Sequence, residues 1–337
     1  MKPSFLQRQP FLINGLFVAL ALLLSVAIGS VVIPPGDLLQ ALIGGALPAT
    51  SATIVYDVRL PHTILVALTG AALAGSGAAY QGLFRNPLAD PYLIGVASGA
   101  GLGAVFVMGQ SWPTTTLGFY TIPAAAFLGA LLAVAVVVAI ARIGKTVPVT
   151  TLILAGVAVS SFATALSSFL MLYSQNELRR ALAWLLGGAT LSGWQPVFAA
   201  LPYIVIGLGL LLVSGHQLNV LQLGEEQAQQ LGLPVERIKI VLILAASLAA
   251  AAAVAFSGMI GFIGLIVPHA LRLVWGGDYR RLLPLSILGG AAALLLADLL
   301  ARSLFAPQVL PVGILTALVG VPFFLWLLRR AKAALIW

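Results

Sequence analysis

The chain alternates long apolar stretches with short breaks made of Gly, Pro or charge. A helix needs about 20 mostly apolar residues to cross a bilayer, and ten stretches meet or approach that length. They cover residues 11 to 33, 62 to 83, 92 to 109, 120 to 141, 149 to 172, 195 to 214, 238 to 257, 261 to 275, 282 to 304 and 310 to 329. The eighth is short and carries Pro268 and His269. The pattern there predicts a partial crossing packed inside protein, where irregular backbone is tolerated. The first stretch, Phe11 to Ile33, is too long for a signal-peptide core and lacks a small-residue cleavage site before Pro34 and Pro35, so it reads as a membrane helix.

Composition sharpens this into an all-α polytopic membrane protein. Of 337 residues, 61% are hydrophobic and 8% charged, against roughly 25% charged in a soluble domain. That excludes a soluble enzyme and a disordered chain, and predicts a single transmembrane domain over residues 1 to 337. A net charge of +8 would suggest nucleic acid in a soluble protein. Here the positive residues stand at the ends of apolar runs, where they report topology. With the N-terminus inside, Arg59, Arg179, Arg180 and Arg302 fall outside and the other thirteen of the 17 Lys and Arg fall inside. The bias predicts both termini in the cytoplasm. The chain has no cysteine, which removes disulfides, thiolate metal ligands and a cysteine nucleophile.

Small residues recur at helical spacing, as in Gly70 with Ala74, Gly95 with Gly99 and Gly103, and Gly313 with Ala317. In lipid such residues let helix backbones approach closely. The longest polar stretch runs from Asn219 to Lys239, with Gly224 and Gly232 bracketing Glu225 to Leu231 and Pro234 opening a second segment. It reads as two short helices joined by a tight turn, with Leu221, Leu223, Leu231 and Leu233 left for a partner to cover.

One ionisable residue, Asp298, lies well inside a predicted span. Arg302 follows four residues later on the same helix face, which makes the two an intramembrane pair. A proton-coupled transporter would show several such carboxylates, so an ion-coupled reading is disfavoured. His62, His216 and His269 share no spacing that suggests a metal site. Gly144-Lys145-Thr146 misses a Walker A loop because Ala139 stands where its first glycine belongs and the context is a membrane helix. No catalytic constellation is present, so the chain reads as a transport subunit without a cofactor or metal of its own.

Several segments resemble one family, the permease subunits of type II ABC importers for iron chelates, haem and cobalamin. They are RLPHTILVALTGAALAGSGAAYQGLFRNPLADPYLIGVASGAGLGA (59 to 104), LILAGVAV (152 to 159), LGEEQAQQLGLP (223 to 234), GFIGLIVPHALRL (261 to 273), LLLADLLAR (294 to 302) and LPVGILTALVGVPFFLWLL (310 to 328). Order and spacing match over about residues 56 to 330.

The resemblance implies the type II importer permease fold with ten helices. It implies a homodimer in the inner membrane, two cytoplasmic ATPase subunits that carry ATP and Mg, and an external binding protein. Nucleic acid has no place in it. It assigns ATPase coupling to Leu223, Gly224, Glu225, Glu226, Ala228, Leu231, Gly232, Leu233 and Pro234, within coupling helices at about 219 to 236. It assigns binding-protein docking to Arg59, His62 and Arg302, and a cytoplasmic gate to Val149 and Thr150. Two positions depart from the family pattern: His62 replaces an arginine, and Val309 replaces an acidic residue. The implied cargo is a bulky metal chelate, ferric siderophore or haem, with cobalamin as the alternative.

Overall fold

A computed structural model describes the chain except residues 1–8, 30–32, 35, 38–39, 41–42, 44, 46, 111–115, 174–177, 189–192, 307 and 336–337. Lys2 and Arg8, counted above among the inside charges, lie outside the described residues. The fold is all-α: among the described residues the only extended pairing is an isolated bridge between Ile143 and Thr146. The helices are α1 (Pro10–Ala27), α2 (Ala49–Leu83), α3 (Val96–Met108), α4 (Thr116–Ala141), α5 (Val149–Tyr173), α6 (Leu178–Leu185) and α7 (Trp194–Val213). The chain continues through α8 (Gly215–Leu221), α9 (Glu225–Gln230), α10 (Val235–Ser257), α11 (Ile263–Trp275), α12 (Tyr279–Ser303) and α13 (Val312–Leu335).

Seven helices are long and apolar enough to cross a membrane, and α3, α11 and Val312–Trp326 of α13 are shorter apolar helices. Together they match the ten stretches in the sequence. Several boundaries differ: the first helix ends at Ala27, short of Ile33, and the last runs on to Leu335, while two further differences have a local structural reason. The second stretch starts at residue 49, well before Pro61, because Thr53–Arg59 winds as a π-helix. This wider turn lies just ahead of Pro61, which lacks an N–H and would crowd the carbonyl four residues back in a regular α-helix. The third stretch is also shorter than a full crossing. Thirteen residues of α3 rise only about 20 Å, as do those of α11, against a hydrocarbon core of about 30 Å.

Both short helices begin from irregular backbone. A 3₁₀ turn at Pro91–Ile94 and left-handed Gly95 precede α3, and left-handed Phe262 precedes α11. The two starts face each other. The Tyr92 hydroxyl donates to the Ile260 carbonyl at 2.9 Å and lies 3.2 Å from the Ile260 N–H. Each irregular segment thereby satisfies part of the other's backbone inside the protein, as an apolar environment requires.

The core is formed by α2, α10 and α12. Small residues set its spacing: a Cβ on Gly70 would run into the Gly290 carbonyl, and one on Gly77 into the Gly264 carbonyl. The spaced glycines at 99 and 103 serve the same purpose against Gly129 and Ala125 of α4. Along the α2–α10 seam a row of hydroxyls adds direction to this packing. Thr69 meets Ser257 at 2.6 Å, Ser76 donates to the Ala246 carbonyl at 2.9 Å, and Tyr80 meets Ser247 at 2.8 Å. Leu154, Phe162 and Leu172 of α5 are exposed, as suits a surface facing lipid or another subunit.

These contacts predict a contrast between two glycines. Gly70→Val forces α2 away from α12 and should lower stability by about 1–3 kcal/mol or prevent folding. Gly209 in α7 has open space around it, so Gly209→Ala should be neutral or stabilising by up to about 1 kcal/mol. Melting temperatures of the purified variants in the same detergent check both; equal behaviour would refute the packing assignment.

Candidate functional site

At one end of the bundle, the intramembrane pair seen in the sequence is part of a larger cluster. Arg302 Nε donates to Asp298 Oδ2 at 2.8 Å, as the four-residue spacing predicts. His62 from α2 joins them, its Nε2 lying 3.2 and 3.1 Å from the two carboxylate oxygens. The tautomer that carries its proton on Nε2 donates to the carboxylate. Arg302 also reaches Ser25 Oγ at 3.1 Å, and Ser25 meets Thr63 at 2.9 Å.

Arg59 is placed differently from an open rim charge. Its side chain is buried, with 6% exposure for the residue, and Nη1 donates to the carbonyls of Val26 and Ala27, each at 2.9 Å. Those carbonyls close the last turn of α1, where a helix has unsatisfied acceptors and partial negative charge. Arg59, His62, Asp298 and Arg302 all line one cavity of about 570 Å³. Val309, the second departure from the family pattern, lines it as well. Both departures therefore fall on a single surface, which their separation in sequence concealed.

At the other end, the polar stretch folds as α8 and α9. This corrects the sequence-based placement of the second short helix after Pro234: residues from Val235 onward run straight into α10. Glu236 and Lys239 hold that first turn together through an ion pair of 2.7 Å at i,i+3 spacing. Gly224 and Gly232 bracket α9 with φ of 112° and 85°, values that L side chains rarely adopt.

Three polar residues spaced three apart tie this segment down. Asn219 donates to Asp278 at 2.6 Å and accepts the Tyr279 N–H at 2.8 Å, joining α8 to the start of α12. Asn219 and the Arg280 N–H together hold the Asp278 carboxyl below the usual carboxylate range. Gln222 donates to the Gly82 carbonyl of α2 at 2.9 Å. Glu225 meets Lys239 of α10 at 2.9 Å. Of the four leucines expected to need cover, Leu221 is buried in the chain and Leu233 partly so, while Leu223 and Leu231 stay exposed. Ala228 is fully buried and seats α9, with Glu226 exposed beside it.

Val149 and Thr150 open α5, Val149 half-buried and Thr150 exposed. Thr151 fixes that start by donating to the carbonyls of Ala141 and Pro148, both at 2.9 Å. Two features escaped the sequence reading. His62 belongs to Asp298, and Lys239 is buried at 2% exposure although it looked like an ordinary inside charge. Only a residue's distant neighbours distinguish these cases.

A family model described as the FecCD transport family matches residues 17–330. The cobalamin import system permease protein BtuC of Halobacterium salinarum is 49% identical over 283 residues, covering 84% of this chain and 75% of that protein. The hemin transport system permease protein HmuU of Yersinia pestis is 43% identical, covering 83% of this chain and 84% of its own length. A solved structure described as an inward-facing, metal-chelate type ABC transporter superposes with a TM-score of 0.82 at 29% identity, covering 96% of this chain and 99% of that one.

The cluster around Asp298 predicts an asymmetric response to mutation. Asp298→Ala leaves Arg302, whose side chain is mostly buried, without its carboxylate partner, which should cost about 3–5 kcal/mol of stability. The double variant Asp298→Ala/Arg302→Met should recover part of that loss. Melting temperatures in a fixed detergent test this; a double variant less stable than Asp298→Ala alone would refute the pairing.

Proposed function

This chain belongs to the FecCD transport family and is an ABC importer permease; we propose that its cargo is a bulky metal chelate, ferric siderophore or haem. The observation that carries this reading is the extent of the family match, together with a relative named for hemin. Cobalamin is the second reading, favoured by the greater identity to the relative named for that cargo. All three are metal-centred compounds too large for a narrow selective channel. A weakly interacting pathway suits them, with selection left to the external binding protein. Purifying the cognate binding protein and identifying the chelate it retains separates the readings. A retained free ion or small organic acid would refute them all.

The proposed working unit is a homodimer in the inner membrane, both termini cytoplasmic, with two ATPase subunits below and the binding protein outside. The chain has no ATP chemistry in this scheme; ATP and Mg act on the partner subunits. Exposed Leu223 and Leu231, presented by glycine-bracketed α9, support a dock for an ATPase at Leu223 to Pro234.

Arg59, His62 and Arg302 are proposed to receive acidic residues of the binding protein. Their burial divides the work. His62 and Arg302 are the more accessible, with side-chain exposures of 34% and 14%, and Arg59 holds the end of α1 in place behind them. A twofold dimer presents each residue twice, which fits a two-lobed partner. Charge at such a surface mainly governs association rate and its salt dependence. Arg302→Glu should slow binding-protein association roughly tenfold at low salt and flatten the salt dependence, and it should lower the melting temperature because it sets a second carboxylate beside buried Asp298. Arg59→Glu should have the same effects on association and on melting temperature. Association kinetics on the reconstituted complex check this, and unchanged rates in both variants would place the dock elsewhere.

Val149 and Thr150 are proposed as the cytoplasmic gate at the head of α5. The chain has no native cysteine, so a single cysteine at either position reports without interference. Oxidative crosslinking between the two copies should proceed in at least one nucleotide state. Its failure in every state, at both positions, would leave this segment a packing element only.

A further inference from the structure

How a movement of α9 reaches the head of α5 is not obvious from the chain path. Glu225 and Val149 are 76 residues apart in sequence, and α9 has only six residues of its own. The physical connection runs through Lys239. Its ammonium has three N–H donors, and three acceptors surround it: Glu225 of α9 at 2.9 Å, Glu236 of its own helix at 2.7 Å and the Val147 carbonyl at 2.9 Å. Glu236 in turn accepts the Val147 N–H at 2.9 Å. Both backbone groups of Val147 are thus held by this one ion-paired cluster. Val147 is buried at 2% exposure, and Val149 begins α5 two residues later.

We propose that Lys239 is a positioning residue that makes α9 and the 143–147 turn move as one body, so that force applied at α9 is delivered to the head of α5. Three properties of the site support this. Each donor of the ammonium is occupied, and the acceptors belong to three separate segments. The ammonium is shielded from water, so the contacts are not screened as surface ion pairs are. The turn itself is short and closed, with Ile143 and Thr146 exchanging backbone hydrogen bonds of 2.9 and 3.1 Å, so it can transmit displacement without absorbing it. A structural ion pair that merely neutralised two carboxylates would not need to grip the Val147 backbone from both sides.

The inference rests on the reading of α9 as the ATPase dock, and the experiment separates the two. The assembled complex, with its ATPase subunits and binding protein, is reconstituted in nanodiscs. Spin labels are placed at Gln227→Cys and Lys145→Cys, both exposed positions, and a separate preparation carries Thr150→Cys for maleimide labelling. In the otherwise unaltered chain the 227–145 distance should stay constant between nucleotide-free and ATP-bound states, while ATP changes the labelling rate at position 150. In Lys239→Met the ATPase subunits should still copurify and hydrolyse ATP. The distance should then vary with nucleotide, and the ATP-dependent change at position 150 should shrink at least fivefold. Lys239→Arg should restore both readouts to within about twofold. Lys239→Gln, which keeps a polar group at the site but ends the ion pairs to Glu225 and Glu236, should reproduce the Met result and keeps the test decisive if Lys239→Met does not assemble.

The proposal is overturned by a 227–145 distance that changes with nucleotide in the unaltered chain. A normal response at position 150 in Lys239→Gln or Lys239→Met overturns it too, as does an Arg variant no better than Met. Failure of the dock reading shows separately, as undiminished ATPase copurification with Leu223→Asp/Leu231→Asp.

Discussion

The close approach of α2 to α12 and α10 is the constraint on which the rest of this structure depends. In lipid there is no hydrophobic drive to bring helices together, so association relies on shape and on hydrogen bonds between them. Glycines at 70, 77 and 290 bring backbones into contact, and the hydroxyls of Thr69, Ser76 and Tyr80 fasten α2 to α10 along their length. This packed centre positions a polar cluster at each end. His62 rises from α2 to meet Asp298 of α12, and the Gly82 carbonyl at the end of α2 receives Gln222.

The two ends follow one electrostatic rule. A charge removed from water is tolerated when its hydrogen-bonding capacity is filled by partners of good geometry. Asp298 is held between His62 and Arg302, and Lys239 between two carboxylates and a carbonyl. Each cluster joins segments far apart in the chain. The first ties α1, α2 and α12 together beneath the surface proposed to meet a binding protein. The second ties α9, α10 and the turn before α5 at the surface proposed to meet an ATPase. Mechanical function is compatible with such clusters because they are stiff compared with a purely apolar contact, whose side chains can slide.

The short helices α3 and α11 add a different kind of junction. Their irregular starts would be costly if exposed to hydrocarbon. Tyr92 solves part of that problem by serving both backbone groups of Ile260 with one hydroxyl. The result is a place within the bundle where two non-helical segments support each other. Their relative position is held by the Tyr92 hydroxyl and by close packing of Pro91 on Gly264 instead of by continuous helix.

The sequence by itself determined the class of protein and most of its span order, because apolar length and the sidedness of positive charge act locally and survive without knowledge of neighbours. It also disclosed the Asp298–Arg302 pair, since four residues along a helix is a fixed geometric relation, and the glycine-bracketed segment around α9, since those backbone angles favour glycine. The family resemblance pointed to the same segments from their order. Tertiary structure decided what spacing cannot encode: that His62 shares Asp298, that Arg59 turns inward to the end of α1, and that α2 begins before Pro61. It also decided that Lys239, one of many inside charges by sequence, is buried among partners from three segments. The physical reason is range. Helix periodicity and hydropathy are properties of a few consecutive residues, whereas the partner of a buried charge is chosen by how whole helices pack.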